Sequence, residues 1–507
     1  TPMDGADLLI LWAASTTTRS GDIPQPEYDE EGNVTNQDEI DAAGAEAPNW
    51  GTYPTPDYAL DLVKEVPEVD GKSMTLVYDS PYTDWQYVGD DTEINISAHG
   101  TMQLAFPGEY DDDAQAAKDA FVKAVQENDQ ETLVAFADQY REGYNFTNMP
   151  SEPQKTLSNG PYVITNLVEN QYVTLTARDD YTWGPAPHYE TITVKFIADP
   201  QAQVDAINNG DVDVAAGQPT VDLLQQLEGM DGVEYASSLE GTYEHIDLQV
   251  ANGGVFDPAT YGGDAETAKL IRQAFLLTVP RQEIVDKLIV PLADDATVRE
   301  SNIFLPGSDG YNTAVGETGI DFYDTSDPEA NIEKAKELLA QAGVENPEVR
   351  ILTAQSNNRR QQELQLITQA AESAGFTIVD ASAENWSSVL STQPSSYDAA
   401  LFGWNSTSLA VGESCPNYQE TGVNNFYGWS SDRIEELCTE LGQTVDADRQ
   451  TEILVEIEKI SYEEAWGLPI FQFPGVVAWS DQVTGVEPGF LSPSFFWNAS
   501  SWAPAAE

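Results

Sequence analysis

Between residues 157 and 214 the spacing of apolar and polar positions changes several times, and each change marks an element. Ser158-Asn159-Gly160-Pro161 is a turn signal, and Tyr162-Val163-Ile164 after it reads as a strand. Val173-Thr174-Leu175-Thr176-Ala177 alternates, which predicts a second strand, and Trp183-Gly184 closes that hairpin. Ile192-Thr193-Val194-Lys195-Phe196 is a third strand. A short helix carrying Val204 and Ile207, an Asn209-Gly210 turn and one more strand, ending at Val214, follow.

Upstream, Asp70-Gly71 is a turn ahead of a strand at residues 73–78. Ala117, Phe121 and Ala124, then Leu133, Phe136 and Tyr140, recur at helical spacing and predict a helix pair. Residues 20–49 gather acids, Pro and Gly with little apolar periodicity, and read as a long surface loop. Downstream come a helix near 221–227, a strand near 233–235, and a strand at 245–249 leading toward a second lobe. Ile332, Ala335, Leu338 and Leu339 share one face of a helix over 329–343, with Gly343 as its stop. Then follow a strand (349–353), a helix (359–375), a strand (376–379), a helix around 386–390, and a strand (397–404) ending in Gly403-Trp404. A long helix over 447–465 precedes the final strands. Such alternation argues an α/β arrangement with largely parallel pairing. No internal repeat is present.

Length and composition narrow the function. A chain of 507 residues exceeds one ordinary core and implies two or three domains. The longest apolar run, residues 8–14, falls well short of a membrane span. The start carries no initiator Met, basic leader or lipobox, and reads as a processed or cut end. With 86 Asp and Glu against 22 Lys and Arg, the formal charge is −64. That excludes nucleic acid and anionic membrane surfaces as partners, since both need a basic face. The excess resembles adaptation to high salt, where screening and hydrated cations relieve self-repulsion; a merely soluble acidic surface is the plainer alternative.

Signatures of chemistry are scarce. The two cysteines, Cys415 and Cys438, and three histidines form no zinc spacing, so no metal site or cofactor is expected. Gly-x-Ser-x-Gly, His-Glu-x-x-His and a cysteine–histidine constellation are all missing, which argues against an enzyme. Gly71-Lys72-Ser73 imitates the end of a phosphate loop, but Val66 stands where its first Gly belongs. Glu27 to Asp38 has the outline of a calcium loop with Gly32 at position six, yet Glu at its start and Asp at its end are poor ligand choices. A secreted glycoside hydrolase remains a rival class, because carboxylates and 11 tryptophans could form a sugar cleft.

Several segments, in order, resemble a known family. Thr1-Pro2-Met3-Asp4-Gly5-Ala6-Asp7 looks like the tail of its D-G-T-P-x-x-A-D-D-F signature, and Pro81-Tyr82-Thr83-Asp84-Trp85 like its P-x-x-D-W strand end. The Asn159-Gly160-Pro161-Tyr162 hairpin with Trp183, and Gly210 ahead of Asp213, match its middle portion. The stretch from Arg272 to Ile284 resembles its paired helices, although Pro280 replaces the usual Asp there. Residues 335–343 match A-k-x-L-L-x-x-A-G, and Leu468-Pro469-Ile470-Phe471-Gln472 matches l-P-l-y-q. The chain is similar to the extracytoplasmic solute-binding proteins of ABC importers, family 5, the oligopeptide, dipeptide and nickel-binding type, nearest to the actinobacterial peptide binders.

The resemblance implies an α/β, two-lobe periplasmic-binding-protein-like fold (type II, cluster C) with an extra subdomain. Residues 1–155 would be that subdomain in part, with the acidic insert at 20–49. Residues 156–238 would belong to lobe I, 239–478 to lobe II, and 479–507 would return to lobe I. Much of the N-terminal part of lobe I would precede Thr1. The implied function is capture of a short peptide, or a similar oligomeric solute, by lobe closure. The protein would be a monomer that delivers to permease subunits, extracytoplasmic and lipid-anchored when full length. A carbohydrate receptor of the same fold is the alternative.

The resemblance also points to residues. Trp404 and Trp386 would wall the cleft, with core packing as the alternative for each. Family members hold a peptide amine with a carboxylate soon after the Gly-Trp strand; here Asn405-Ser406-Thr407-Ser408 follow and the first acid is Glu413. Glu240, ahead of the crossing strand, is a second acid placed at the cleft. Asn425 sits in an Asn-x-x-Gly-Trp element and would either touch ligand or form a turn. Export would favour a Cys415–Cys438 disulfide over two buried thiols.

Overall fold

The computed structural model describes residues 2–24, 26–27, 29, 33–51, 59–89, 96–217, 220–324, 326–405, 410–491 and 494–506. The chain divides into two units. Thr1–Glu27, Val34–Ile197 and Thr439–Val445 form the first; Tyr28–Asn33, Ala198–Cys438 and Asp446–Glu507 form the second. Residues 162–195 fall in the same unit as the N-terminal helices, and the division between the units lies after Ile197. The candidate calcium loop lies partly outside the described residues.

The first unit holds α1 (Gly5–Ser15), α2 (Gln37–Glu46), a hairpin of β1 (Glu68–Asp70) and β2 (Ser73–Thr75), α3 (Ala98–Ala105), α4 (Ala114–Glu127) and α5 (Gln130–Glu142). Its antiparallel sheet is β3 (Tyr162–Val168), β4 (Tyr172–Ala177) and β5 (Thr191–Lys195). The helical spacing read from sequence is the packing observed: Ala117, Phe121, Leu133 and Phe136 are buried beside Trp12. Asp113 caps α4 by accepting from the Ala116 N–H at 2.9 Å, and Asn128 ends it in the left-handed region. Lys118 is buried within this apolar core because Asp7, at 2.6 Å, and Asp4, at 3.2 Å, neutralise it. One correction concerns residues 20–49: α2 forms inside the expected loop. It buries Ile40 alone, so one apolar contact and acids in its first turn stand in for the missing stripe.

The second unit is built on a six-stranded sheet. In chain order its elements are α6 (Pro200–Asn208), β6 (Val214–Gly217), α7 (Val221–Glu228), β7 (Val233–Leu248), α8 (Ala265–Leu277), α9 (Arg281–Ile284), α10 (Tyr311–Glu317), α11 (Pro328–Ala342), β8 (Glu348–Leu352), α12 (Asn358–Ala374), β9 (Thr377–Asp380), α13 (Trp386–Thr392), β10 (Ala399–Asn405), α14 (Cys415–Tyr418), α15 (Asp432–Gln443, whose last residues, from Thr439, count with the first unit), α16 (Ala447–Glu463), β11 (Gly467–Ser480), β12 (Val483–Thr484) and β13 (Ala503–Pro504). The sheet order is β6-β11-β7-β10-β8-β9. Only β10–β8 and β8–β9 are parallel; the β7, β10, β11 and β6 pairings are antiparallel. The expected parallel character therefore holds at one edge, where β-α-β crossovers supply it.

Two strands read separately in sequence are one. β7 runs unbroken, its first half partly exposed and its second half buried on both faces. β11 pairs with it along its length and takes up Pro469 and Pro474 at register shifts. Gly343 ends α11 in left-handed geometry, as its position predicted, and Gly375 ends α12 in the same way. Among the described residues no helix is long and apolar enough to cross a membrane.

Candidate functional site

β10 sets the local geometry. Its register places Trp404 opposite Tyr243 and Phe402 opposite His245 on β7. Alternation puts Phe402 and Trp404 on one face, with ring centres 5.2 Å apart. Trp386, at the start of α13, lies 5.4 Å from Phe402, and Phe426 stacks on Trp404 at 6.4 Å. The result is a run of rings, Trp386–Phe402–Trp404–Phe426. Phe402 is buried, and the other three are half-buried. The two tryptophans singled out in sequence thus join through Phe402. Its place two residues before Trp404 was the signal that could have found it. His245 packs at 4.4 Å from Phe402, with Nδ1 2.9 Å from Asp247 and a buried Nε2 that has no hydrogen-bond partner among the described residues.

Behind these rings is a buried ionic group that sequence reasoning missed. Glu244 on β7 is wholly buried and accepts from Arg359 Nη2 at 2.9 Å and Arg360 Nε at 2.8 Å. The arginines open α12, where Asn357 caps the helix through the Arg360 N–H. Arg359 also lies over Phe473 at 4.3 Å, and Arg360 over Trp386 at 5.6 Å. Glu363, one turn along, comes within 3.1 Å of Arg359. Neither of its oxygens makes a hydrogen bond of good geometry. Burial, with the charge of Glu244 adding to it, outweighs the two arginines and pushes the Glu363 carboxyl above the usual range.

The sequence-selected acids are placed differently. Glu240 is half-buried on β7, and its carboxylate lies over Gly475, where any side chain would collide with it. Burial raises its pKa against the pull of Arg359. Glu413 sits in a 3-10 turn, Val411–Ser414. Its charge reaches Tyr243, whose hydroxyl is raised first by burial, with Arg299 opposing and Asp247, Glu458 and Glu413 adding repulsion. Asn425 is engaged by a turn. Its Nδ2 donates to the carbonyls of Gln419 and Trp429, and its Oδ1 accepts from the N–H groups of Tyr427 and Trp429. That occupies its hydrogen-bonding capacity, so a direct ligand contact would have to break the turn. Cys415 and Cys438 form a disulfide across this same segment, with Cα atoms 5.8 Å apart.

A cavity of about 400 Å³ opens beside Trp386. Its lining includes Arg359, Arg360, Asn358, Asp222 and Thr220, but not Trp404, Glu240, Glu413 or Asn425. The volume is within the usual range for small-molecule sites.

This fold and this cavity define a solute-binding protein of the two-lobe periplasmic type. The chain belongs to the bacterial extracellular solute-binding proteins, family 5, whose middle-region profile matches residues 47–425. The oligopeptide-binding protein OppA of Mycobacterium bovis is 23% identical over 336 residues, covering 63% of this chain and 52% of that protein. The chain thus spans about half the length of that curated relative. The oligopeptide-binding protein AppA of Bacillus subtilis is 27% identical over 190 residues, or 38% of this chain and 30% of that protein. A solved structure of AppA in complex with a nonapeptide superposes with a TM-score of 0.64 at 17% identity, covering 89% of this chain and 81% of that one. A periplasmic EDTA-binding protein, EppA, superposes with a TM-score of 0.71 at 18% identity, over 100% of this chain and 82% of that one. Members of the family are extracytoplasmic binding proteins and not enzymes.

Proposed function

We propose that this chain is the capture component of an ABC importer, taking up a short peptide or a similar oligomeric solute by lobe closure. The observation that carries the reading is the run Trp386–Phe402–Trp404–Phe426, in which the buried Phe402 joins three half-buried rings. Aromatic walls supply apolar contact that tolerates varied side chains, which suits a receptor for many sequences. An acid such as Glu413 or Glu240 meets any cationic end of the ligand. The oligopeptide-binding relatives support peptides over other solutes. The protein works as a monomer, lipid-anchored when full length, and hands its ligand to permease subunits.

Mass spectrometry of material released from the intact, gently purified protein tests this. Short peptides should be recovered. Recovery of oligosaccharides instead would favour the carbohydrate receptor, since aromatic rings also stack on sugars, and hydrolysis of labelled oligosaccharides would favour the hydrolase.

A further inference from the structure

The two longest strands each serve two cores. On β11, Leu468, Ile470 and Phe473 belong to a core with Leu401 of β10 and Leu364 of α12. Val476 and Ala478, further along the same strand, belong to a separate core with Val204 of α6 and Leu223 of α7. β7 divides in the same way, with Ile246 and Leu248 in the first core and Val233 against the second. The sheet is therefore two halves joined by two continuous strands.

At the junction the β7–β11 ladder is broken. Pairing runs from Gly467–Asp247 to Gln472–Tyr243 and resumes at Pro474–Leu239, so Glu240, Gly241 and Thr242 have no ladder partner on β11. The Gln472 side chain occupies the break. Its Nε2 donates to the Glu240 carbonyl, and to the Thr242 carbonyl at 2.9 Å. Its Oε1 accepts from Arg299 Nη1 at 2.6 Å. Arg299 is held in turn, with Nη2 donating to the Asn302 carbonyl at 2.9 Å and the guanidinium 3.9 Å from the centre of the Tyr243 ring. Gln472, Arg299, Tyr243 and Thr242 are all buried. An amide with both donations and its acceptor engaged has one orientation, so Gln472 is anchored in the first half and grips β7 where the chain crosses to the second.

The angle at this break decides the width of the cavity beside Trp386. Its walls come from both halves: Pro200 and Leu223 from one, Arg359, Arg360 and Trp386 from the other. A few residues between two packed bodies are enough to act as a hinge, and rotation there would part the walls.

We propose that Gln472 is a positioning residue for solute capture: its side-chain amide, bridging the break between β7 and β11, holds the two halves of the sheet at the angle at which both line the cavity. The proposal rests on the solute-capture reading and concerns how long a solute is kept, not which solute is chosen.

The test loads intact protein with a labelled pool of random short peptides and chases with the unlabelled pool, so that mean dissociation and association rates are read separately. Gln472→Glu keeps the size and the Arg299 contact but, ionised, cannot donate to either carbonyl; Gln472→Leu loses all three bonds. Each should release the pool about tenfold faster than the parent, the factor expected when two buried donations are removed, with association within about twofold. A residue that served stability alone would lower the urea midpoint and leave the release rate of the folded protein unchanged. Parent-like release from folded Gln472→Glu would overturn the proposal and leave peptide capture standing, as would an affinity loss carried by slower association. Failure of both variants to fold would overturn it too, by assigning Gln472 to the fold itself. Retention of no peptide by the parent would overturn both readings.

Discussion

Replacing both Cys415 and Cys438 by Ala should destabilise the second unit by an amount that the loop sets. The bridge closes a separation of 23 residues. In the chain-entropy description, releasing a loop of that size returns about 3.4 kcal/mol of freedom to the unfolded chain at 25 °C. Native contacts of the loop are not lost with it. Gln249 Nε2 still donates to the Phe426 carbonyl at 2.8 Å, and Trp429 Nε1 to the Leu248 carbonyl at 2.9 Å. The effect should therefore fall on the unfolded side. Urea unfolding can be followed by the fluorescence of Trp429 and Trp466, which are buried and stacked at 5.2 Å. With a slope near 3 kcal/mol/M, the midpoint should drop by roughly 1 M. Because the native contacts persist, including the stacking of Phe426 on Trp404, solute affinity at temperatures where the variant is folded should stay close to the parent's. Equal midpoints for the oxidised parent and the double variant would refute the reasoning. So would two free thiols titrated in the unfolded, unreduced parent.

Trp404→Ala should weaken every solute by roughly tenfold or more, as loss of a central aromatic does, whereas Glu413→Gln should weaken only those with a free amine; calorimetry giving parent-like binding for Trp404→Ala would remove Trp404 from the site. Raising KCl from about 0.1 to about 1 M shortens the screening length from about 10 to about 3 Å. With a charge of −64, self-repulsion outweighs the few surface ion pairs, so the melting temperature should rise, and a flat or falling profile would contradict salt adaptation. Glu363 has a folded pKa raised above the ordinary carboxylate value, so the native state holds a proton that the unfolded chain releases first. The parent should lose stability as pH climbs from the ordinary carboxylate range through the raised value. Glu363→Gln does not titrate, so its melting temperature relative to the parent should be higher near pH 8 than near pH 5, a range set by ordinary carboxylate titration. A difference independent of pH would show that Glu363 is ionised throughout.

Sequence by itself determined the local elements and the family. α11 and α12 were legible because apolar spacing and a closing glycine act within a few residues, and β10 because Gly403-Trp404 ends a compact strand. The ordered motifs identified the family although no single one was specific. What sequence left out is of two kinds. α2 lacks a stripe and buries only Ile40, so periodicity had nothing to register. β7 looked like two strands because its exposed half and buried half carry different patterns, and pairing with β11 makes them continuous. The ionic group was beyond reach for a different reason. Glu244 meets Arg359 and Arg360 across more than a hundred residues of chain, and only the order β7-β10-β8 with α12 following β8 brings them together. Long-range contacts of that sort depend on which strands lie side by side, a choice made by burial of the whole sheet and not by any window of sequence.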